Sequence, residues 1–245
     1  MKTVVIVQAR MTSTRLPGKV LKEILGKTLI EYQLERLRRV KLADEIVYAT
    51  TTNDTDQPIV DLCWRLGVAV TRGSENDVLS RYYEAAKQHH ASLVVRVTSD
   101  CPVIDPAVID TAIRFYLDHA GKYDYVSNAL TQSYPYGMAA EVFGFKVLEE
   151  AHFEAKAEPE MEHVTPFIYT RPERYRIGHV INPENHSHHR WTVDTPEDFE
   201  LIKRITEALY PVKPAFDMQD ILDLLQQHPD WSGINAHVHQ KKLGE

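Results

Sequence analysis

Cysteine is nearly absent: Cys63 and Cys101 are the two in a chain of 245 residues. With no third or fourth thiol near either one, neither a cysteine metal site nor a disulfide framework can be built. Both read as structural thiols, Cys63 in an amphipathic helical segment and Cys101 in a loop. Long apolar runs are missing as well. None approaches the roughly 18 residues that a bilayer span requires, and the N-terminus passes straight into a strand without the features of a signal peptide. A cytoplasmic protein with no membrane partner is expected. Nor is there an excess of positive charge. The 28 Lys and Arg against 35 Asp and Glu give a formal net charge of -7, which argues against a general nucleic-acid binder, since such proteins carry a basic stripe. No repeat, Gly/Ser linker or low-complexity block divides the chain, so one domain with a full core is expected.

What the chain does contain is alternation. Apolar strands are expected at Thr3 to Val7, Glu45 to Ala49, Val68 to Val70 and Leu93 to Val97. Segments with helical spacing separate them, at Leu29 to Val40, Ile59 to Leu66 and Val78 to Gln88, and this order gives a parallel sheet covered by helices. In the first helix Ile30, Leu34 and Leu37 share the packing face, with Glu31, Glu35, Arg36 and Arg38 expected to turn away from it. A helix from Ala107 to His119 and a short strand near Tyr125-Val126-Ser127 follow. Beyond that the pattern loosens. Ala140 to Phe145 alternates like a strand, and Glu160 to Tyr169 reads as partly helical with Pro166 as an interruption. Strands are expected at Tyr175 to Ile181 and Arg190 to Val193, then helices at Pro196 to Leu209 and Met218 to Gln227. The fold class is α/β, Rossmann-like, with a mostly parallel sheet.

The most informative stretch is Val5 to Lys19, where an uninterrupted β-branched run stops and Arg10, Arg15 and Lys19 arrive within ten residues. A strand with no polar interruption is buried on both faces. Ligands of open α/β sheets bind outside the carboxyl ends of such strands, so three cations there suit a polyanion. Thr12, Ser13 and Thr14 add hydroxyls, and Pro17-Gly18 forces a tight turn before Lys19. This is not a Walker loop, because Val20 rather than Ser or Thr follows Gly18-Lys19.

Ala9-Arg10 through Lys19, as A-R-x-x-S-T-R-L-P-G-K, resembles the N-terminal signature of the cytidylyltransferases that activate sugars such as 3-deoxy-octulosonic and sialic acids as CMP conjugates. The branch it is most similar to is the spore-coat polysaccharide type. Further matching segments stand in order at Arg72 to Leu79, Thr98 to Pro102 and Val193 to Asp198. The resemblance implies a nucleotidyltransferase domain with a nucleotide-binding half at 1–128 and an acceptor-binding, dimer-forming half at 129–245. It also implies CTP and a sugar or sugar acid as substrates, magnesium as cofactor, and a homodimer.

By the same resemblance Arg10, Lys19 and Asp100 are the candidate catalytic residues, and Asp100 and Asp194 the metal ligands. A carboxylate beside a triphosphate would be repelled unless a divalent cation stood between them, and magnesium is content with one or two protein carboxylates plus phosphate oxygens and water. Asp105 is the better candidate for capping the Pro106 helix, whereas Asp194 and Thr195 both remain possible N-caps of the helix at Pro196. Arg72, Ser74, Asp77 and Arg81 are implied near the nucleotide, with Gln8 and Ala9 offering backbone groups and Ser13 and Arg15 on the phosphate loop. Asp77 and Arg81 could equally be an i,i+4 surface pair. Gln8 stands where the octulosonic- and sialic-acid branches usually carry Pro, and Thr98 where the octulosonic-acid branch usually carries Gln.

Thr98, Tyr136, Glu141 and Arg190 complete the substrate-side set, Tyr136 and Glu141 in a segment similar to the family's sugar side, with Glu141 expected to accept a sugar hydroxyl. Glu162-His163 stands nearby in sequence. His186, His188 and His189 have ligand-like spacing, but a solvated loop is the expectation because no Cys completes a set. A metal-dependent glycosyltransferase would normally show Asp-x-Asp after a strand, and here the chain reads Asp100-Cys101-Pro102. A non-catalytic nucleotide-binding module would not need Arg10, Lys19, Asp100 and Asp194 together.

Overall fold

The computed structural model describes residues 1–240. The chain opens with β1 (Thr3–Gln8), a small hairpin of β2 (Glu23–Ile24) and β3 (Lys27–Thr28), and α1 (Leu29–Leu37). Next come β4 (Glu45–Thr51), α2 (Gln57–Arg65), β5 (Ala69–Gly73), α3 (Val78–Gln88), β6 (Leu93–Thr98), α4 (Pro106–Asp118) and β7 (Tyr125–Ser127). The last part carries β8 (Glu141–Gly144), α5 (Phe145–Glu154), α6 (Glu158–His163), α7 (Pro166–Tyr169), β9 (Ile177–His179), α8 (Pro196–Leu209) and α9 (Met218–Gln227).

Seven strands form one sheet in the order β5-β4-β1-β6-β8-β7-β9. The first four are mutually parallel, β8 runs antiparallel to both β6 and β7, and β9 pairs parallel with β7. The sheet is therefore continuous across the 128/129 position, with β8 inserted between β6 and β7.

β1 lies at the centre and its residues divide between two cores. Val5 and Val7 pack with α1, α4, α8 and α9 residues such as Leu34, Ile109, Ile202 and Leu222, whereas Val4 and Ile6 pack with Tyr82, Ala86, Leu148 and Phe167 on the other face. That two-sided burial is why the strand carries no polar residue from Val4 to Val7. Each such side chain contributes roughly 1.5–3 kcal/mol. The register aligns Gln8 with both Ala49 and Thr98, so the chain leaves β1, β4 and β6 at the same level and sends three loops to one edge. Helix starts follow local chemistry. Thr28 and Glu31 form a capping box on α1, Asp77 caps α3, Asp105 caps α4, and Thr195 caps α8 in a box with Asp198.

Several expectations need correction. Arg190 to Val193 is not a strand, because its only ladder contact is an isolated bridge between Tyr136 and Arg190. The strand expected at Tyr175 to Ile181 is confined to Ile177–His179. Arg36 does not turn away from the core: it is buried, donates to the Phe216 carbonyl at 2.9 Å and lies over the Phe216 ring at 3.9 Å. The helix α5 was not anticipated. Its burial is limited to Leu148 and Ala151, too sparse for a clear helical stripe. No helix among the described residues is long and apolar enough to cross a membrane.

Candidate active site

The loop after β1 is held at both ends by backbone. Ala9 N donates to Ala49 O at 3.1 Å, Met11 N to the Asp56 carboxylate at 2.8 Å, and Gly18 N back to Met11 O at 2.9 Å. Gly18 sits at φ 67°, a left-handed conformation that glycine adopts without strain, and it turns the chain into a short 3-10 segment beginning at Lys19. That turn aims the Lys19 side chain inward. Its Nζ donates to Asp100 Oδ2 at 2.9 Å and to Asp194 Oδ1 at 2.8 Å. Arg15 reaches the other Asp194 oxygen at 3.0 Å.

Two segments far apart in sequence bring these acids together. Asp100 follows β6, and Asp194 precedes α8. The backbone joins them directly: Val193 N donates to Asp100 O at 2.8 Å, and the Thr192 hydroxyl donates to the same carbonyl at 3.3 Å. Behind them Arg190 donates to Asp194 at 2.8 Å and to Asp198 at 2.9 Å, and Asp198 accepts from the backbone N–H groups of Asp194 and Thr195 and from Asn235. Asp194 is thus fixed from both sides, and Thr195 rather than Asp194 serves as the helix cap. Lys19, Arg15 and Arg190 balance Asp100, Asp194 and Asp198 in charge.

Burial alone would weaken the Lys19 ammonium, but Asp100 and Asp194 outweigh it and raise its pKa. Burial likewise opposes ionisation of Asp100. Lys19, with hydrogen bonds from Thr98 and Cys101, reverses this and holds the carboxyl well below the usual carboxylate range. Both groups are charged at neutral pH. Two hard carboxylate donors already converge on one cation, which is the donor set of a divalent site completed by phosphate oxygens and water. Among the described residues no group of three or more His, Cys, Asp or Glu side chains is placed to hold a metal ion.

Arg10 does not join this cluster. It faces Glu75 at 3.9 Å, toward the β5 side, where Glu75 also accepts from Thr12 and Asn53. The expected nucleotide loop there is largely self-structured. Arg72 donates to the Thr51 and Asn53 carbonyls and to Gln57, the Ser74 hydroxyl accepts from Asp77 N, and Ser13 accepts from Leu16 N. No Asp77–Arg81 pair forms. Asp77 accepts from Ser80 N as a cap, and Arg81 is buried with no hydrogen bond from its side chain.

On the other flank the Glu141 carboxylate accepts from Arg96, Tyr125 and Thr165. Arg96 also donates to Gln8 at 3.0 Å. Thr165 is presented by a strained γ-turn at Val164, whose φ of 71° is unfavourable for a β-branched residue and whose neighbours close through Thr165 N to His163 O at 2.8 Å. Tyr136 lines a cavity of about 370 Å³ together with His188, His189, Arg190 and Trp191, none of which is Lys19, Asp100 or Asp194. Gly137 beside it lies at φ 101°, where a Cβ would come within 2.7 Å of the Trp191 backbone.

Arg96, Asp198, Glu75 and Thr165 are the members that sequence reasoning missed. A charge inside the apolar run Leu93 to Val97 was a signal for Arg96, and the spacing Thr195-x-x-Asp198 was one for Asp198. Nothing local announced Glu75 or Thr165.

Comparison with known proteins agrees with this geometry. The family model described as Cytidylyltransferase matches residues 4–227. An uncharacterized protein of Methanocaldococcus jannaschii is 38% identical over 247 residues, covering 100% of this chain and 99% of that protein. The spore coat polysaccharide biosynthesis protein SpsF of Bacillus subtilis is 34% identical over 92% of this chain and 94% of its own length. A cytidylyltransferase structure from Leptospira borgpetersenii superposes with a TM-score of 0.91 at 30% identity, covering 99% of both chains. With a matching family model across most of its length and relatives of this similarity, the chain belongs to the cytidylyltransferase family.

Proposed function

We propose that this protein transfers a cytidylyl group from CTP to a sugar or sugar acid with release of pyrophosphate, in the service of surface polysaccharide synthesis. The observation that carries the reading is the convergence of Lys19 on Asp100 and Asp194 at the carboxyl edge of a parallel sheet. Membership of the cytidylyltransferase family supports the donor, and the similarity to a spore coat polysaccharide biosynthesis protein of Bacillus subtilis supports the polysaccharide context.

In this reading a sugar hydroxyl attacks the α-phosphorus of CTP in line and pyrophosphate departs, with no covalent enzyme intermediate. Asp100 and Asp194 would hold a magnesium ion, which when bound neutralises phosphate charge and makes the attacking hydroxyl more acidic. Lys19 and Arg15 move from the carboxylates onto phosphate oxygens, and Arg10 meets the chain of phosphates from the β5 side. These cations are preorganised around developing negative charge. Arg190 acts as a positioning residue, since both its acid contacts orient Asp194 and Asp198. Ala9, Arg72, Ser74 and Asp77 shape the nucleoside loop, with Ser13 doing the same for the phosphate loop. Thr98 orients Asp100. Tyr136 and the Glu141 network frame the acceptor side, which the 129–245 half supplies. A homodimer formed through that half belongs to the same reading, and the protein is assigned to the cytoplasm.

The test is pyrophosphate release across the four nucleoside triphosphates, with magnesium and a panel of sugar acids and hexoses. Release from CTP that depends on an acceptor is expected. Acceptor-independent release, or equal use of all four nucleotides, would overturn the assignment.

A further inference from the structure

Past α9 the chain runs on through residues 228–240, beyond position 227 where the match to the family ends. Trp231 and Ile234 anchor this tail on the core, and the Trp231 indole stacks on the His228 ring at 4.5 Å. The residue after them is polar and buried. Asn235 is 4% exposed, and an amide taken out of water needs acceptors for both of its N–H bonds. Nδ2 finds them in the Arg190 carbonyl at 2.9 Å and in Asp198 Oδ1 at 2.8 Å. Further along, Gln240 Oε1 accepts from Arg190 Nη1 at 2.6 Å.

The tail thus grips one arginine at its backbone, at its acid partner and at the outer end of its guanidinium. The rest of that guanidinium is spent on the site: Nε donates to Asp198 Oδ1, and Nη2 to both Asp198 Oδ2 and Asp194 Oδ2. A guanidinium is a rigid plane with donors in fixed directions. With Nη1 and the Arg190 carbonyl both held, a swing of Nη2 away from Asp194 breaks a tail contact.

Substrate binding makes that grip matter. Asp194 is held by three cations, Lys19 on Oδ1 and Arg15 and Arg190 on Oδ2. In the CTP-dependent reading Lys19 and Arg15 pass to phosphate oxygens, which leaves Arg190 as the one of the three still on the carboxylate. We propose that the tail is a positioning element for the reaction: Asn235 and Gln240 set the direction of Arg190, and through it that of the Asp194 carboxylate that would hold the divalent ion. Neither residue touches a reacting atom. The inference rests on the metal-assisted, CTP-dependent reading above and extends its machinery to the far end of the described chain.

Protein-bound Mn2+ is measured by electron paramagnetic resonance, with CTP present and acceptor absent, for wild type, Asn235→Ala, Gln240→Ala and the exposed tail control His237→Ala. Thermal melts fix a temperature at which each is folded. Removing a group that orients a metal ligand typically weakens metal binding about 10- to 100-fold, and Asn235 stands one contact further out. A fall in Mn2+ affinity of about 3- to 10-fold is therefore expected for Asn235→Ala, and of about 2- to 3-fold for Gln240→Ala. The magnesium concentration for half-maximal pyrophosphate release should rise by the same factors, with kcat at saturating magnesium little changed. Loss of packing alone would lower the melting temperature and leave metal affinity where it was. That result in folded Asn235→Ala overturns the proposal, as does an equal fall in His237→Ala. Should Asn235→Ala not fold, Gln240→Ala, at an exposed position, decides: wild-type affinity there overturns the proposal, and a fall of about twofold or more upholds it. A wild type that binds no Mn2+ with CTP sinks the metal-assisted reading and this inference with it, an outcome seen before any substitution is made.

Discussion

Lys19 is the residue on which two distant acids depend, and its ammonium is held by three structural facts: the Gly18 turn, Asp100 and Asp194. Removing either acid should therefore affect chemistry far more than folding. Asp100→Asn keeps the shape and the Val193 backbone bond, but loses a charge from a preorganised site. Turnover is expected to fall about 10²- to 10³-fold, with the melting temperature within a few degrees of wild type, as steady-state pyrophosphate release and calorimetry would report. Wild-type turnover in a folded Asp100→Asn protein would remove this residue from the reaction. At this scale the meeting of Lys19 and Asp100 was legible where charge follows an apolar strand, whereas Arg10 turns to Glu75 instead. The sequence was not readable where a residue's partner lies across the fold. Only the sheet reveals that Arg96, Tyr125 and Thr165 meet on the Glu141 carboxylate.

Among the elements, α8 does more than pack. Its first turn places Asp198, fully buried, where it satisfies the Arg190 guanidinium, two backbone N–H groups and Asn235. Asp198→Ala would leave the buried Arg190 guanidinium with Asp194 as its one carboxylate and release the segment that carries Asp194. A loss of about 3–5 kcal/mol in denaturant stability is expected, accompanied by lower activity than the stability loss alone explains at temperatures where the variant remains folded. A loss under about 1 kcal/mol would show that Arg190 finds another acceptor. The helix itself was legible from Thr195-Pro196 and its apolar spacing, and the observed bounds match the expected ones. Arg190 to Val193 failed as a strand for the same reason that the site works. Its β-branched residues suggest pairing, but its backbone is spent on Tyr136, Asp100 and Asn235 instead. The split between α6 and α7 was foreshadowed by Pro166, whereas no pattern of apolar residues announces a left-handed valine at 164.

For the whole molecule, acid sensitivity should be dominated by a histidine outside the charged cluster. Burial, then the neighbouring His188 and His186, push His189 down to about 4. Between that value and the unperturbed 6.5 the unfolded chain binds a proton that the folded chain refuses, so stability falls as pH drops from about 6.5 toward 4. Asp100 acts in the same sense lower down: its depressed pKa contributes stability that is present above the ordinary carboxylate range and is lost as the pH falls through and below that range. His189→Gln is therefore expected to flatten the pH 4–6.5 part of the stability curve. Because water reaches part of the ring and screens it, the expected recovery at pH 4.5 is about 1–2 kcal/mol, read from urea midpoints. An unchanged slope would place the acid-sensitive group elsewhere. At this scale the parallel half of the sheet was written in the alternation of strands and helices, because each crossover unit folds on neighbours close in sequence. The β8 insertion between β6 and β7 was not, since strand order depends on which edges are free once the rest has assembled.

The hydrogen bond from Val193 N to Asp100 O joins residues 93 positions apart in the chain, and it sets a birth order for the molecule. A nascent chain that has been made only as far as β7 has the cationic loop and one of its acids in hand, while the other is still to be synthesised. Its central strand, phosphate loop and first carboxylate must wait for the last third of the message, so a prematurely terminated product lacks half of the acid pair and cannot complete the charge balance of the finished protein.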